Sequence, residues 1–217
     1  MYNNLNTAYD FFNERLFEGK LPHCLITMQR RNKAYGYFSG DRFGTFDGSE
    51  TTDEIALNPA LFKDRTAKDI LSVLVHEMVH LRQHHQGNPS PQGYHNSEWA
   101  DMMDAIGLTP SSTGEPGGKR TGQRVNHYIV HGGAFDLACN DLLERGVHIA
   151  YLDIWDSDER RKKAASKTKY TCPGCGLSVW GKPDIEVLCG ACKALLLPPL
   201  PDQATTSCTS RGLGVKV

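Results

Sequence analysis

The stretch that most constrains what this chain can become is Leu71–His85, because it carries His76-Glu77-Met78-Val79-His80. Histidines at i and i+4 of an α-helix sit one above the other on one face. From there both imidazoles reach a single zinc ion, at roughly 2.0–2.1 Å each. Glu77 follows the first histidine directly, so it stands beside the metal and suits a general base for a zinc-activated water. The flanking residues Ile70, Leu71, Val73, Leu74, Val75, Met78, Val79 and Leu81 are apolar. Polar groups inside such a helix are costly unless they have partners.

Catalytic zinc needs a third protein ligand. A glycine three residues and a histidine six residues after His80 would mark one known class, but those positions hold Gln83 and Gln86. His84 lies one turn on, where the helix has drifted about 80° from His76. His95 opens a second amphipathic stretch, His95–Gly107, after the turn-rich Gly87-Asn88-Pro89-Ser90-Pro91-Gln92-Gly93 that folds the chain back. His95 is therefore the expected third ligand, with Glu98 or Asp101 as the carboxylate alternative. His127, His131 and His148 have no metal-spaced partner and read as surface or packing residues.

Two Cys-x-x-Cys knuckles, Cys172-Pro173-Gly174-Cys175 and Cys189-Gly190-Ala191-Cys192, are separated by thirteen residues. That spacing predicts a four-cysteine structural zinc site, closed to chemistry because all four ligands are protein. Seven cysteines, four of them spaced for metal, argue against a disulfide framework. Cys24 and Cys139 read as core residues and Cys208 as a free thiol.

The formal net charge of −1 hides a division. Residues 160–217 hold 10 Lys+Arg against 3 Asp+Glu, so the remainder is acidic. Arg160, Arg161, Lys162, Lys163, Lys167 and Lys169 form a basic linker before the knuckles, which suggests contact with a polyanion, or only a solvated linker. Tyr170 and Trp180 are candidates to stack on bases, with a core role for Trp180 as the competing reading. No apolar run approaches a bilayer span and no signal peptide is visible, so a cytoplasmic protein without a membrane partner is expected.

Elsewhere the patterns predict a first helix capped by Asn4 and running through about Phe17, strands at 25–28, 34–38 and 54–57, and a strand at 125–130 followed by a helix over 133–145. The glycine-rich 40–48 segment reads as a surface turn or a hairpin loop at a cleft rim. Residues 109–122 read as a mobile loop.

The blocks Leu57-Asn58-Pro59, His76-Glu77-Met78-Val79-His80 and His95-Asn96-Ser97-Glu98-Trp99 resemble the SprT-like zinc metallopeptidases. The resemblance extends upstream through Phe11-Phe12-Asn13-Glu14, Gly19-Lys20-Leu21-Pro22 and Ala34-Tyr35-Gly36-Tyr37-Phe38, covering about residues 5–107. Tyr94 and Asn96 stand where the family often has glycine beside its third histidine. The resemblance implies zinc ligands at His76, His80 and His95, a catalytic Glu77, and protein substrates, including proteins crosslinked to DNA. The expected architecture is α+β. A zincin-like metallopeptidase domain spans 1–156, a basic linker 157–169, a zinc ribbon 170–200 and a disordered tail 201–217. Two zinc ions are implied, one catalytic and one structural, with DNA contact through Arg160, Arg161, Lys162 and Lys163. The competing reading is a nucleic-acid-binding ribbon protein whose histidine-glutamate motif is inactive.

Overall fold

Thr66 starts the helix around which the larger unit is built. Its hydroxyl accepts from the Asp69 backbone N–H at 3.1 Å, and the Asp69 carboxylate accepts from the Thr66 backbone N–H at 3.0 Å. This reciprocal cap satisfies two donors that a helix start otherwise leaves unpaired. Helix α2 then runs over Ala67–Gln86, a turn earlier than the apolar pattern alone suggests. Leu71, Leu74, Val75, Met78, Val79 and Leu81 are fully buried along it. At about 1.5–3 kcal/mol for each large apolar side chain, that burial makes α2 the centre of the core.

The computed structural model describes residues 2–31, 34–91, 93–149 and 167–199, and the chain forms two units, Met1–Ile154 and Trp155–Val217. The architecture is mixed α+β. Helix α1 (Tyr2–Phe17) buries Leu5, Ala8, Tyr9 and Phe12, and Phe12 packs on Phe135 of helix α4 (Ala134–Glu144) with ring centroids 5.6 Å apart. Strands β1 (Leu25–Met28), β2 (Gly36–Gly44) and β3 (Thr51–Leu57) form a sheet in the order β1-β3-β2. β3 pairs parallel with β1 and antiparallel with β2, which places β2 at an edge.

β2 is longer than the 34–38 segment expected from sequence. The register shifts between Ser39 and Phe43, and Asp41 adopts a left-handed φ of 49° with its N–H bonded to the Asp53 carboxylate at 2.8 Å. The extra residues are absorbed in this bulge, so the strand resumes to Gly44 and much of the 40–48 segment is hairpin arm.

Helix α3 (Ser97–Ala105) leads into strand β4 (Leu108–Ser111), which pairs antiparallel with β5 (Asn126–Ile129). The expected free loop over 109–122 is instead strand followed by a hydrogen-bonded turn. Ser112 N–H bonds the Lys119 carbonyl at 2.9 Å, and the Ser111 hydroxyl donates to the Glu115 carbonyl. Arg120 pairs with Asp101 and Asp104 of α3, holding the turn down.

In the second unit, β6 (Thr168–Thr171) and β7 (Ser178–Gly181) form an antiparallel ribbon over a core of Tyr170, Cys172, Cys189 and Leu196. Tyr170 is buried and donates to the Lys182 carbonyl at 2.9 Å, which removes it as a stacking platform. Trp180, weighed as a core residue, is 65% exposed, with the Lys169 ammonium 5.7 Å from its ring centroid. Arg160, Arg161, Lys162, Lys163, Cys208 and the 201–217 tail lie outside the described residues. Among the described residues, no helix is long and apolar enough to cross a membrane.

Candidate metal centre

His76 and His80 come from successive turns of α2, as their spacing requires. His95 comes from outside any helix. Its backbone N–H donates to the Gly122 carbonyl at 2.8 Å, and the Gly122 N–H returns a bond to the His95 carbonyl at 3.0 Å. Gly122 has φ +134°, a conformation that a side chain would strain, so this bridge calls for glycine. One ligand nitrogen each from His76, His80 and His95 lies within 4.8 Å of the others.

Trp99, in the first turn of α3, forms the wall behind them. Its ring centroid lies 4.8 Å from His76, 5.1 Å from His80 and 4.3 Å from His95. Asn96 caps α3 by accepting from Trp99 N–H at 2.9 Å, and also accepts from Gln83 of α2 at 2.8 Å. The start of α3 is thereby tied to α2 next to His95.

The two carboxylates weighed as alternative ligands are engaged elsewhere. Glu98 accepts from the Gln83 amide at 2.7 Å and the Asn88 backbone N–H at 2.8 Å, clamping the turn after α2. Asp101 accepts from Arg120 at 2.8 Å.

The donor set fits a divalent metal. Burial holds His76 well below the ordinary histidine range, pushes His80 down to about 3, and lowers His95. Neutral imidazoles with free lone pairs are what a metal requires of histidine. His95 Nδ1 lies 3.1 Å from the Gly122 carbonyl, which can only accept, so that nitrogen carries the proton and Nε2 is free. Glu77 is buried beside them. Desolvation raises its carboxyl to about 8, against the opposing pull of the Arg31 guanidinium and a backbone hydrogen bond from Phe38.

Glu77, His80 and His95 open onto a cleft of about 560 Å³ whose other wall is β2 from Gly36 to Gly40. Gly36 lets that wall come close. A Cβ there would stand within 3.1 Å of the Ala56 carbonyl oxygen, Val73 Cγ1 and Glu77 Oε1.

The remaining sites separate cleanly. The sulfur atoms of Cys172, Cys175, Cys189 and Cys192 lie within 4.8 Å of one another. Each knuckle is built alike. Cys172 N–H bonds the Leu177 carbonyl and Cys189 N–H the Ala194 carbonyl, both at 2.8 Å. The Cys192 backbone N–H lowers the Cys189 thiol, favouring the thiolate that binds metal. Asp53, His84 and His85 also cluster, but Asp53 is already satisfied by His85 Nε2 at 2.6 Å and the Asp41 backbone N–H. His131 and His148 are exposed. His127, read as a surface or packing residue, is buried against His76, with the two Nδ1 atoms 3.1 Å apart. Sequence reasoning also missed Trp99 and Gly36. The signal for Trp99 was its place four residues after His95, just inside the helix that Asn96 caps.

A stretch of 54 residues, 25% of this chain, is 54% identical to a Salmonella typhimurium protein described as an uncharacterized protein in mucB 3'region, and covers 73% of that protein. The family model for the SprT-like family matches residues 5–120, which include both helical histidines, Glu77, His95 and the wall formed by Trp99. With the match spanning more than half its length, the chain belongs to the SprT-like family.

Proposed function

We propose that this chain is a zinc-dependent endopeptidase with a zincin-like catalytic domain. The observation that carries the reading is a buried glutamate beside three clustered imidazoles, with Glu77, His80 and His95 at the wall of a cleft bordered by an edge strand. His76, His80 and His95 would hold the ion. Zinc, when bound, polarises the scissile carbonyl and lowers the pKa of the attacking water to about 7. A cation held by the three histidines would favour the ionised form of Glu77, which takes the proton from that water on a carboxylate oxygen and passes it to the departing amine. β2 offers backbone N–H and C=O groups along the cleft, where an extended peptide can pair as an added strand. The four cysteines would hold a second zinc that supports the fold of the ribbon.

The substrates in this reading are proteins associated with or crosslinked to DNA. The positive balance of residues 160–217 and the exposed Trp180 beside Lys169 support nucleic-acid contact by the second unit.

Glu77→Gln tests the chemistry. It keeps the volume and hydrogen bonding of the side chain but cannot take the proton. Zinc content stays at the wild-type value, while cleavage of a protein substrate falls by about 10²–10⁴. Undiminished cleavage by this variant would sink the mechanism, whereas a zinc-loaded wild type that cleaves no protein would leave the ribbon protein with an inactive histidine-glutamate motif as the better account.

A further inference from the structure

His127 lies on β5, fifty-one residues beyond His76 and outside the 5–120 segment that the family model matches. Its ring is buried and both of its nitrogens are engaged. Nδ1 is 3.1 Å from Nδ1 of His76, and Nε2 is 2.8 Å from the Ser72 hydroxyl oxygen. That hydroxyl donates onward to the Asp69 backbone carbonyl at 2.7 Å.

The direction of every proton in this chain follows from its last member. A carbonyl oxygen can only accept, so the single hydroxyl proton of Ser72 is committed to Asp69. Ser72 Oγ must then accept from His127, which puts the His127 proton on Nε2. A neutral imidazole with its proton on Nε2 has a lone pair on Nδ1. His127 Nδ1 therefore accepts from His76 Nδ1–H. His76 is left with its lone pair on Nε2, the same nitrogen that the Gly122 carbonyl leaves free on His95.

We propose that His127, backed by Ser72, is a positioning residue that fixes the tautomer and ring orientation of His76 for metal binding. The proposal rests on the reading of His76, His80 and His95 as metal ligands. It goes beyond that reading by assigning the outer partner that orients one of them. Such partners of ligating histidines typically contribute 10–100-fold in metal affinity or activity.

The test measures metal affinity rather than turnover. The full chain is stripped, loaded with Co²⁺, and titrated with a competing chelator, since thiolate charge-transfer bands separate the cysteine site from the histidine site. His127→Leu removes the acceptor and is expected to weaken the histidine site by 10–100-fold. His127→Asn, whose carboxamide oxygen can still accept from His76, keeps most of the affinity. Ser72→Ala frees the His127 tautomer and lies between them. Melting of the metal-free proteins is the control, because a purely structural role would lower that melting point and leave the affinity unchanged.

Wild-type affinity in both His127→Leu and Ser72→Ala overturns the proposal. If His127→Leu does not fold, an unchanged affinity in Ser72→Ala overturns it. If His95→Ala leaves the cobalt spectrum of the histidine site as it is in the wild type, the ligand assignment beneath the proposal is overturned instead.

Discussion

A Cβ placed on Gly36 would stand 3.1 Å from Oε1 of Glu77, closer than ordinary van der Waals contact. The same Cβ would meet the Ala56 carbonyl oxygen at 2.9 Å, and Ala56 belongs to the paired strand β3, which cannot easily recede. A single added carbon on an edge strand therefore presses on the carboxylate proposed to move the proton. Gly36→Ala is expected to retain zinc while kcat/KM for peptide cleavage drops by about 10-fold to 10²-fold, the scale of a small misplacement of a reacting group. A cleavage assay paired with metal analysis checks this, and full activity would show that Glu77 tolerates displacement.

Metal content offers a second measurement. One three-histidine site and one four-cysteine site predict two zinc ions per chain. His95→Ala is expected to leave one, and Cys172→Ser to remove the other while the Met1–Ile154 unit stays folded. If His95→Ala keeps both ions and Glu98→Gln loses one, the third ligand is the carboxylate.

Acid stability depends in part on Asp136 in the first turn of α4. Hydrogen bonds from the Lys68 ammonium of α2 at 2.5 Å and the Gly132 N–H at 2.9 Å hold its carboxyl below the ordinary value of 3.8. A carboxylate whose folded pKa is depressed contributes stability above its unfolded pKa and loses it as pH falls through the folded value. Asp136→Asn is therefore expected to be less stable than wild type near neutrality, with the gap closing below about pH 4. Urea unfolding of both proteins from pH 7 to pH 3 measures the gap. A constant difference across that range would mean that Asp136 acts by packing.

The DNA reading makes a prediction about salt. If the basic arm tracks phosphates, log K against log salt carries a slope of about −0.9 per contact on duplex, or about −0.7 on single strands. Replacing Arg160, Arg161, Lys162 and Lys163 with alanine is expected to flatten that slope and weaken binding to all sequences alike. Cleavage of a small unstructured peptide stays at the wild-type rate. Unchanged binding across the salt series would reduce the arm to a solvated linker.

What could be read from sequence was chemistry tied to local spacing. The i and i+4 histidines, the paired Cys-x-x-Cys knuckles and the turn that returns His95 all express themselves within a few residues. Gly36, Trp99 and His127 act through tertiary contact, and that left weaker traces. Gly36 looks like any strand glycine until β2 is known to pass over Glu77. His127 had a faint signal, since alternation along Asn126-His127-Tyr128 turns it to the side opposite its neighbours. Nothing in its spacing announced His76. The 109–122 segment misled through composition. Its glycines and prolines suggest freedom, yet Ser111, Ser112 and Arg120 tie it to itself and to α3.

The two units differ greatly in how much apolar matter holds each together. Among the described residues, the first has a core running from Leu5 to Leu142, whereas the second buries Tyr170, Leu196 and two of its own cysteines. Domains this small usually need a staple. One chelating reagent should therefore produce two different outcomes in one chain. Stripped of metal, the first unit behaves as an empty lock, intact and ready to be refilled. The second behaves as a knot whose pin has been drawn, and a protease added at that moment would digest it while sparing its neighbour.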